Sequence, residues 1–337
     1  MNIFADYHHD GLWKSLEYLF RRRLGHKLYR PVGEEWYPRW WKIGDPYGKM
    51  GKLTAFQYLY KRGHSPRPDG TYYYDRMRGV TLDQFKKMPF DIVIATIPQH
   101  IEPYKKLIRK FQPNAKLILQ MGNIYWDKSV NFSKVPNVMA STEEFRVPKT
   151  CNIVFYHQEF NTNVFKYEPP DYNHRRKISS FVHKVEAYPD DNILLKEYME
   201  EMDDYEFKIY GASNPDGPLP TERQIAGEMH DSEFGWHLKR GGDGFGHIIH
   251  NWFACGRPPI VKMEYYKDKL AGKLMQDGVT CIAIDGLTAK QGAKKIRRYT
   301  TPKKHEKMCK EAYNRFGSTV NFEKEEEDIR KFLDVLK

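Results

Sequence analysis

Runs of consecutive apolar residues alternate with helically spaced apolar residues through the first half of the chain. Apolar residues three or four apart predict helices at 12–24 and 101–111. Continuous apolar runs predict buried strands at 1–7, DIVIATI (91–97), KLILQM (116–121), VMAST (138–142) and NIVFY (152–156). This alternation is typical of a parallel sheet that helices cover on both faces. An irregular segment at 31–80 is too long for a simple connection, and we interpret it as a functional insertion.

A second set of alternating elements follows a proline-containing, charged segment at 166–177, which has the composition of a linker. Helical spacing recurs at 191–202, 246–256 and 268–276, and the chain after the last strand reads as helical. The predicted strands are ISSFV (178–182), YEFKIYG (205–211), EFGWHL (233–238), PPIVK (258–262) and TCIAID (280–285). We therefore predict two doubly wound α/β domains, at 1–170 and 171–337, with the last helix a candidate to cross back to the first domain.

Composition excludes several classes of protein. Hydrophobic residues make up 40% of the 337 residues, which is enough for the cores of two domains. No apolar run of 18 or more residues is present, so we expect no membrane span, and the first residues do not read as a secretory signal. The four cysteines form no CxxC pair, which predicts reduced core thiols and a cytoplasmic protein.

The positive charge is concentrated in the first half of the chain. Residues 1–150 hold 26 Lys and Arg against 14 Asp and Glu, a net charge of +12, whereas 151–337 has a net charge of −1. Such an excess favours an anionic partner for the first half, although a solvated surface is the simpler interpretation. Aromatic residues, among them Trp36 and Trp40, lie among arginines such as Arg30, Arg76 and Arg78. Basic and aromatic side chains together bind phosphates and stacked bases or sugars.

The stretch GGDGFGHIIHNWFACGRPPIV (241–261) carries the strongest chemical signal. Gly242, Gly244 and Gly246 lie between a predicted strand and a predicted helix, where free N–H groups and the helix dipole favour a phosphate. Lys239 precedes the turn and adds positive charge. The chain has no GxGxxG in its first strand–helix unit and no GxxxxGK[ST], which argues against a dinucleotide dehydrogenase and a P-loop NTPase.

Residues 225–286, with GDGFG, CGRPPIV and DGVTCIAID, resemble the donor-binding region of GT-B glycosyltransferases, most closely glycosyltransferase family four. Asp243 takes the first acidic position of that family's pattern, and Asn251 stands where the second acid is expected. The resemblance implies two facing Rossmann-like domains, an N-terminal acceptor domain and a C-terminal domain for a UDP-sugar. The resemblance implies that no cofactor or metal is needed. It also implies that the diphosphate or the sugar of the donor lies near the glycine turn with Phe245 and His247, and that the nucleotide ribose lies near Asn251. The alternatives are a turn-forming role for Asp243 and a plain helix-face role for Asn251.

Further candidates lie at predicted strand ends. Lys184 follows the strand ISSFV and could reach the diphosphate, or could be a solvated lysine. The first strand is followed by His8, His9 and Asp10. His8 and Asp10 could act as the catalytic base, and His9 could bind the acceptor. Alternatively, Asp10 could cap the helix that follows. His100 matches a position at which related enzymes carry a sugar-contacting histidine, or it begins a helix.

Three interpretations of function remain open. The first is sugar transfer to a hydroxyl of a modified DNA base, because the chain is similar to bacteriophage DNA-base glycosyltransferases in size, architecture and charge. In that case Arg76, Arg78 and Trp40 would contact DNA, and the protein would work in the host cytoplasm. The second is transfer to a cell-surface glycan or lipid carrier. The third is nucleic-acid binding without catalysis, suggested by Asn251 in place of an acid.

Overall fold

The computed structural model describes residues 1–6, 10–31, 36, 78–96, 98–122, 132, 135–142, 150–173, 176–211, 213–241 and 243–336. The chain divides into two compact units. Unit 1 consists of Met1–Phe160 together with Phe322–Lys337, and unit 2 consists of Asn161–Asn321. The division after Phe160 lies upstream of the domain boundary that the sequence predicts after residue 170, and the chain returns to unit 1 at its C-terminus.

Unit 1 is built on one parallel sheet of seven strands in the order β3-β2-β1-β4-β5-β6-β7. Its strands are β1 (Asn2–Ala5), β2 (Lys27–Pro31), β3 (Arg78–Val80), β4 (Ile92–Ala95), β5 (Lys116–Met121), β6 (Asn137–Ala140) and β7 (Asn152–Phe155). Its α-helices are α1 (Asp10–Leu16), which continues as a π-helix over Glu17–Arg23, then α2 (Leu82–Lys87), α3 (Ile101–Phe111) and, at the C-terminus, α9 (Phe322–Asp334).

Both faces of this sheet are buried, as the continuous apolar strands predict. Successive side chains of a strand point to opposite faces, so Val93 and Ala95 join one core while Ile92 and Ile94 join the other. Helix α9 covers part of the second core with Phe332. The prediction of a parallel α/β sheet covered on both sides is therefore confirmed.

Unit 2 contains a second parallel sheet, of five strands in the order β12-β11-β10-β8-β9. Its strands are β8 (Lys177–Ser180), β9 (Glu206–Ile209), β10 (Phe234–Trp236), β11 (Pro259–Val261) and β12 (Ile282–Ala283). Its α-helices are α4 (Pro189–Glu201), α5 (Glu222–Asp231), α6 (His247–Ala254), α7 (Ala289–Ile296) and α8 (Pro302–Thr319).

Two local predictions in unit 2 differ from the structure. The helix predicted at 268–276 is a 3₁₀ turn over Leu270–Leu274, following another over Met263–Tyr266. There the chain doubles back so closely that a Cβ on Gly272 would clash with the carbonyl oxygen of Tyr266. Helix α5 was not predicted, because its sequence is mostly polar and buries only Ala226 and Met229; Thr221 caps its first turn.

The segment before β8 belongs to unit 2 because a buried arginine holds it there. The Arg257 side chain is almost fully enclosed and donates to the carbonyl oxygen of Glu168 over 2.8 Å and to that of His230 over 2.9 Å. His230 in turn contacts the carbonyl oxygen of Lys166 at 2.8 Å. These contacts explain why unit 2 begins at Asn161 rather than beyond residue 170.

Candidate functional site

The strand order of unit 2 places a crevice at the carboxyl ends of β8 and β10. The chain passes from β8 to β9 on one side and then returns to β10 on the other side. Ligands of doubly wound sheets bind at such switch points. Two connections begin there, the segment after β8 that contains Lys184 and the loop His237–Gly246 that joins β10 to α6.

Asp243 is the acid of this loop, and two basic side chains contact it. Its Oδ2 accepts a hydrogen bond from Nε2 of His237 over 2.8 Å, and its Oδ1 pairs with the ammonium group of Lys239. Burial by itself would raise the pKa of Asp243, but the Lys239 charge and the His237 hydrogen bond together hold it well below its usual value. Asp243 is therefore a fixed carboxylate rather than only a turn former.

Helix α6 begins directly after this acid. Gly246 precedes the first helical residue with φ of +81°, a conformation that favours glycine. The ring of Phe245 stacks on His250 with centroids 4.0 Å apart, and His250 Nδ1 lies 2.9 Å from the carbonyl oxygen of Gly246. These contacts fix the start of the helix, and the positive end of a helix dipole favours an anion.

The remaining residues of the glycine turn have different surroundings. Lys269 donates to the carbonyl oxygen of Gly241 over 2.6 Å and ties the turn to the segment after β11. Gly244 is buried, and His247 is the first residue of α6 and half-buried. Gly242 lies outside the described residues.

Asn251 lies in α6 and is 6% exposed. Its side-chain oxygen is buried and accepts no hydrogen bond from the part of the protein that the structure describes. A buried amide oxygen without a donor costs free energy. Asn251 is therefore suited to a ligand that donates a hydrogen bond, such as a ribose hydroxyl.

Lys184 is exposed, and hydrogen bonds from Asn214 connect the segment that carries it to the neighbouring segment. Asn214 donates to the carbonyl oxygens of Val182 and Tyr210, over 2.6 and 2.8 Å, and so joins the segments after β8 and β9. Gly211 allows the close approach, because a Cβ there would clash with the carbonyl oxygen of His183.

Sequence reasoning missed a second buried acid near the same edge of the sheet. Asp191, the third residue of α4, accepts hydrogen bonds from Lys262 over 3.0 Å and from the hydroxyl of Tyr265 over 2.9 Å. Lys262 follows β11 directly; burial by itself would lower its pKa, but the contacts with Asp191 and Tyr265 together raise it. An acid in the first turn of a helix is common, so the sequence carried no signal for Asp191.

Unit 1 has its own switch point, between β1 and β4, and it also carries a paired acid. Asp6 follows β1 and is 5% exposed; its Oδ2 lies 2.5 Å from Nδ1 of His100, and its Oδ1 accepts from the backbone N–H of Thr96 over 2.6 Å. The structure thus brings the candidate His100 to an acid that was not a candidate. Asp6 and His237 could have been predicted as site residues from the sequence, because each is the first polar residue after an apolar strand.

Several predicted acceptor residues lie outside the described residues, namely His8, His9, Trp40 and Arg76. Asp10 begins α1 and Arg78 begins β3, and only their backbones are described. The interpretation of Trp36 as an aromatic residue available for binding is wrong. Its side chain is buried, stacks on Phe4 and donates to the carbonyl oxygen of Val80 over 3.1 Å. Arg30 is also largely buried, on β2. The four cysteines are buried, and none of them forms a disulfide.

No protein-family profile matches the chain. No curated protein matches it in sequence.

Solved structures do match over nearly the whole chain. HepE from Anabaena, solved with UDP and glucose, has a TM-score of 0.67 at 12% identity and covers 99% of this chain and 100% of its own. Sucrose-phosphate synthase from Thermosynechococcus elongatus has a TM-score of 0.65 at 10% identity, covering 100% of this chain and 99% of its own. A glycosyltransferase from Rickettsia africae has a TM-score of 0.64 at 13% identity and covers 100% of this chain and 98% of its own.

Two parallel Rossmann-like sheets and these structural neighbours define the fold as GT-B. Identity at this level shows the fold alone. In the described part of the chain, no helix combines the length and the apolar character that crossing a bilayer requires.

Proposed function

We propose that the protein is a glycosyltransferase that uses a UDP-sugar as donor and needs no cofactor. The observation that supports this most directly is the Asp243 carboxylate, held by His237 and Lys239 in the loop that leads into α6. This loop lies at the switch point of unit 2, where a doubly wound sheet binds its ligand.

The charges of the site suggest how a UDP-sugar would be oriented. The first N–H groups of α6 and the exposed Lys184 suit the diphosphate, and Asn251 suits a ribose hydroxyl. A carboxylate repels a diphosphate but accepts hydrogen bonds from hydroxyl groups. We therefore assign Asp243 to hydroxyls of the transferred sugar, with Phe245 and His247 beside them.

For the acceptor we propose a hydroxyl group of a modified base in DNA. Unit 1 holds 30 Lys and Arg against 21 Asp and Glu, a net charge of +9, and unit 2 holds 25 against 23, a net charge of +2. Part of the excess lies on α3, where Lys106, Arg109 and Lys110 are exposed. A basic surface supplies the sequence-independent part of DNA binding.

A second candidate acceptor is a glycan or a lipid-linked sugar. It gains support from the burial of Trp36 and Arg30, because these two aromatic and basic residues are not available on the surface to bind phosphates or stacked bases. A protein that binds nucleic acid without catalysis is the third interpretation, and absence of UDP-sugar hydrolysis would favour it.

Mass spectrometry of nucleosides from hydroxymethylated DNA, incubated with the protein and a panel of UDP-sugars, tests the proposal. A glycosylated nucleoside is the expected product. UDP release without a modified nucleoside would point to the second acceptor class, and absence of both UDP binding and UDP release would overturn the proposed enzyme.

DNA binding is tested separately through its salt dependence. If about five phosphates are neutralised, the log–log slope of affinity against salt should be near −4 to −5, since each contact contributes about −0.9. Replacing Arg76 and Arg78 with Ala should make the slope shallower by up to about two units. Lys303 and Lys304, exposed in unit 2, provide the matched control pair. An unchanged slope in the arginine variant would contradict the assignment of Arg76 and Arg78.

A further inference from the structure

A cavity of unit 2 lies at the amino ends of β8 and β10, the edge of the sheet opposite the loop that joins β10 to α6. Its volume is about 170 Å³, roughly tenfold more than one water molecule requires. Its wall includes Arg176 and Lys177 at the start of β8, Glu233 directly before β10, Tyr172 and the first turn of α8. The cavity therefore lies within unit 2 and is separate from the crevice at the carboxyl ends of the strands.

Glu233 contributes a buried carboxyl group to this cavity. Its side chain is 9% exposed, and its Oε1 is buried and accepts no hydrogen bond from the described part of the chain. Its nearest cation is Arg176, whose Nε lies 3.9 Å from Oε2, too far for a hydrogen bond. Burial raises the pKa of Glu233 more than Tyr205 and Arg176 lower it. The negative charge of Glu233 is thus incompletely compensated, and a ligand N–H would compensate it further.

The two cations in the cavity wall are engaged by other acids. Lys177 is paired with Glu228, because its Nζ lies 3.3 Å from each carboxylate oxygen of that residue. Arg176 is shared with Asp204, at 3.8 Å from its Nη1. These pairs leave little positive charge to attract an anion into the cavity.

The remaining wall favours a positive ligand. Asp171 and Asp231 are exposed and add two carboxylates. Helix α5 ends at Asp231, and the carboxyl end of a helix carries negative partial charge. Tyr172 is 39% exposed, and the face of an aromatic ring attracts cations.

The start of α8 does not offset this negative field with hydrogen-bond donors. Pro302 has no N–H, and the N–H groups of Lys304 and His305 donate to the carbonyl oxygen of Thr301. The imidazole of His305 donates through Nε2 to the carbonyl oxygen of Glu233 over 2.6 Å, and burial lowers its pKa to about 4. At neutral pH His305 is therefore an uncharged part of the wall.

We propose that this cavity binds a small organic cation through a primary ammonium group, which donates a hydrogen bond to the carboxylate of Glu233. The last torsion of a glutamate side chain is soft, so rotation of the carboxylate presents either oxygen to the cavity. A buried carboxylate, two further acids and an aromatic face together select positive charge. The site goes beyond the proposed glycosyl transfer and does not rest on it.

Saturation-transfer NMR on the full chain tests the site with ethylammonium chloride as the probe. Ethanol and sodium acetate, which are similar in size, serve as the neutral and anionic controls. We expect saturable binding of ethylammonium with a Kd of about 1–10 mM, because so small a ligand gains little binding free energy. No saturable binding of ethylammonium in this range, or equal binding of ethanol or acetate, would overturn the proposal.

Variants test the contact with Glu233. Glu233→Gln keeps the shape of the side chain and removes its charge, so it should weaken ethylammonium binding by at least about tenfold. Glu200→Gln, at an exposed position of α4, is the matched control and should leave the Kd unchanged. Asp231→Asn, in the exposed part of the wall, should weaken binding about two- to threefold. Unchanged affinity in Glu233→Gln, or in Asp231→Asn should the first variant not fold, would overturn the proposal.

Backbone amide shifts locate the bound cation. Ethylammonium should shift the amide signals of residues 231–233 and of the first turn of α8, and it should leave the loop between β10 and α6 unshifted. Shifts confined to that loop would place the cation in the crevice assigned to the UDP-sugar and would overturn the proposal. The measurement uses neither UDP nor an acceptor, so its result is independent of whether the protein transfers a sugar.

Discussion

His237 and Asp243 are joined by a hydrogen bond of 2.8 Å from Nε2 to Oδ2, which closes the loop between β10 and α6. His237 is 2% exposed and directly follows β10, where its backbone N–H donates to the carbonyl oxygen of Ile260, so it links Asp243 to the sheet. Lys239 completes the arrangement from the same loop. The acid that the sequence singles out is therefore oriented by two residues, one of which no sequence motif indicated.

Asp243→Asn should lower the free energy of unfolding at pH 7 by about 1–3 kcal/mol, because it weakens hydrogen bonds to a charged group. The folded-state pKa of Asp243 is depressed, so its stabilising contribution is complete above the unfolded pKa of about 3.9 and is lost only as pH falls toward the lower folded value. Urea denaturation should therefore give the same difference in unfolding free energy between the unmodified protein and Asp243→Asn at pH 7 and at pH 5. Below pH 4 this difference should become smaller. A difference that disappears by pH 5 would contradict this.

Lys239→Met should weaken UDP-sugar binding by about tenfold, since it removes the cation that holds Asp243 in place. Arg240→Met is the matched control, because Arg240 is adjacent but 73% exposed and pairs with the equally exposed Asp190. Such surface pairs contribute about 0–1 kcal/mol. Calorimetry with the donor compares the two variants, and equal losses would show that general positive charge, rather than the Asp243 contact, matters.

Asn251→Ala should weaken UDP binding by about 1–3 kcal/mol while leaving the unfolding free energy of the empty protein unchanged or higher. The reason is that the variant removes a buried oxygen that has no donor in the described part of the protein. Asn251→Glu should retain UDP binding, because a carboxylate can accept from ribose hydroxyls. Equal UDP affinity in all three proteins would place this residue outside the nucleotide site.

His305→Gln should reduce the acid sensitivity of the fold. Burial lowers the pKa of His305 to about 4, and its Nε2 donates to the carbonyl oxygen of Glu233 over 2.6 Å. The unfolded state, with a pKa near 6.5, therefore binds a proton that the folded state resists, and stability falls by up to about 3 kcal/mol as pH drops from 6.5 to 4. Urea denaturation across that range should show a flatter profile for the variant. His183→Gln, at an exposed position, should keep the original slope.

The sequence by itself determined the architecture. Runs such as IVIA in β4 are apolar at every position, which only a sheet buried on both faces requires, and their alternation with helices implies parallel strands. It also determined the neighbourhood of the site, because glycine is needed where Gly246 adopts a positive φ before α6. The sequence did not predict the 3₁₀ turn at Leu270–Leu274, where Gly272 closely approaches Tyr266, or the polar helix α5, which buries only two side chains.

Only the tertiary structure decided which side chains meet. His100 and Asp6 are 94 residues apart in sequence and become partners because β1 and β4 pair in parallel and end at the same edge. Trp36 shows the opposite case, since its aromatic ring and nearby arginines suggested a binding surface, yet it packs on Phe4 in the core. The local sequence pattern indicates which residues are apolar and where a strand ends. Strand order determines which strand ends are neighbours, and it is set by packing over the whole sheet.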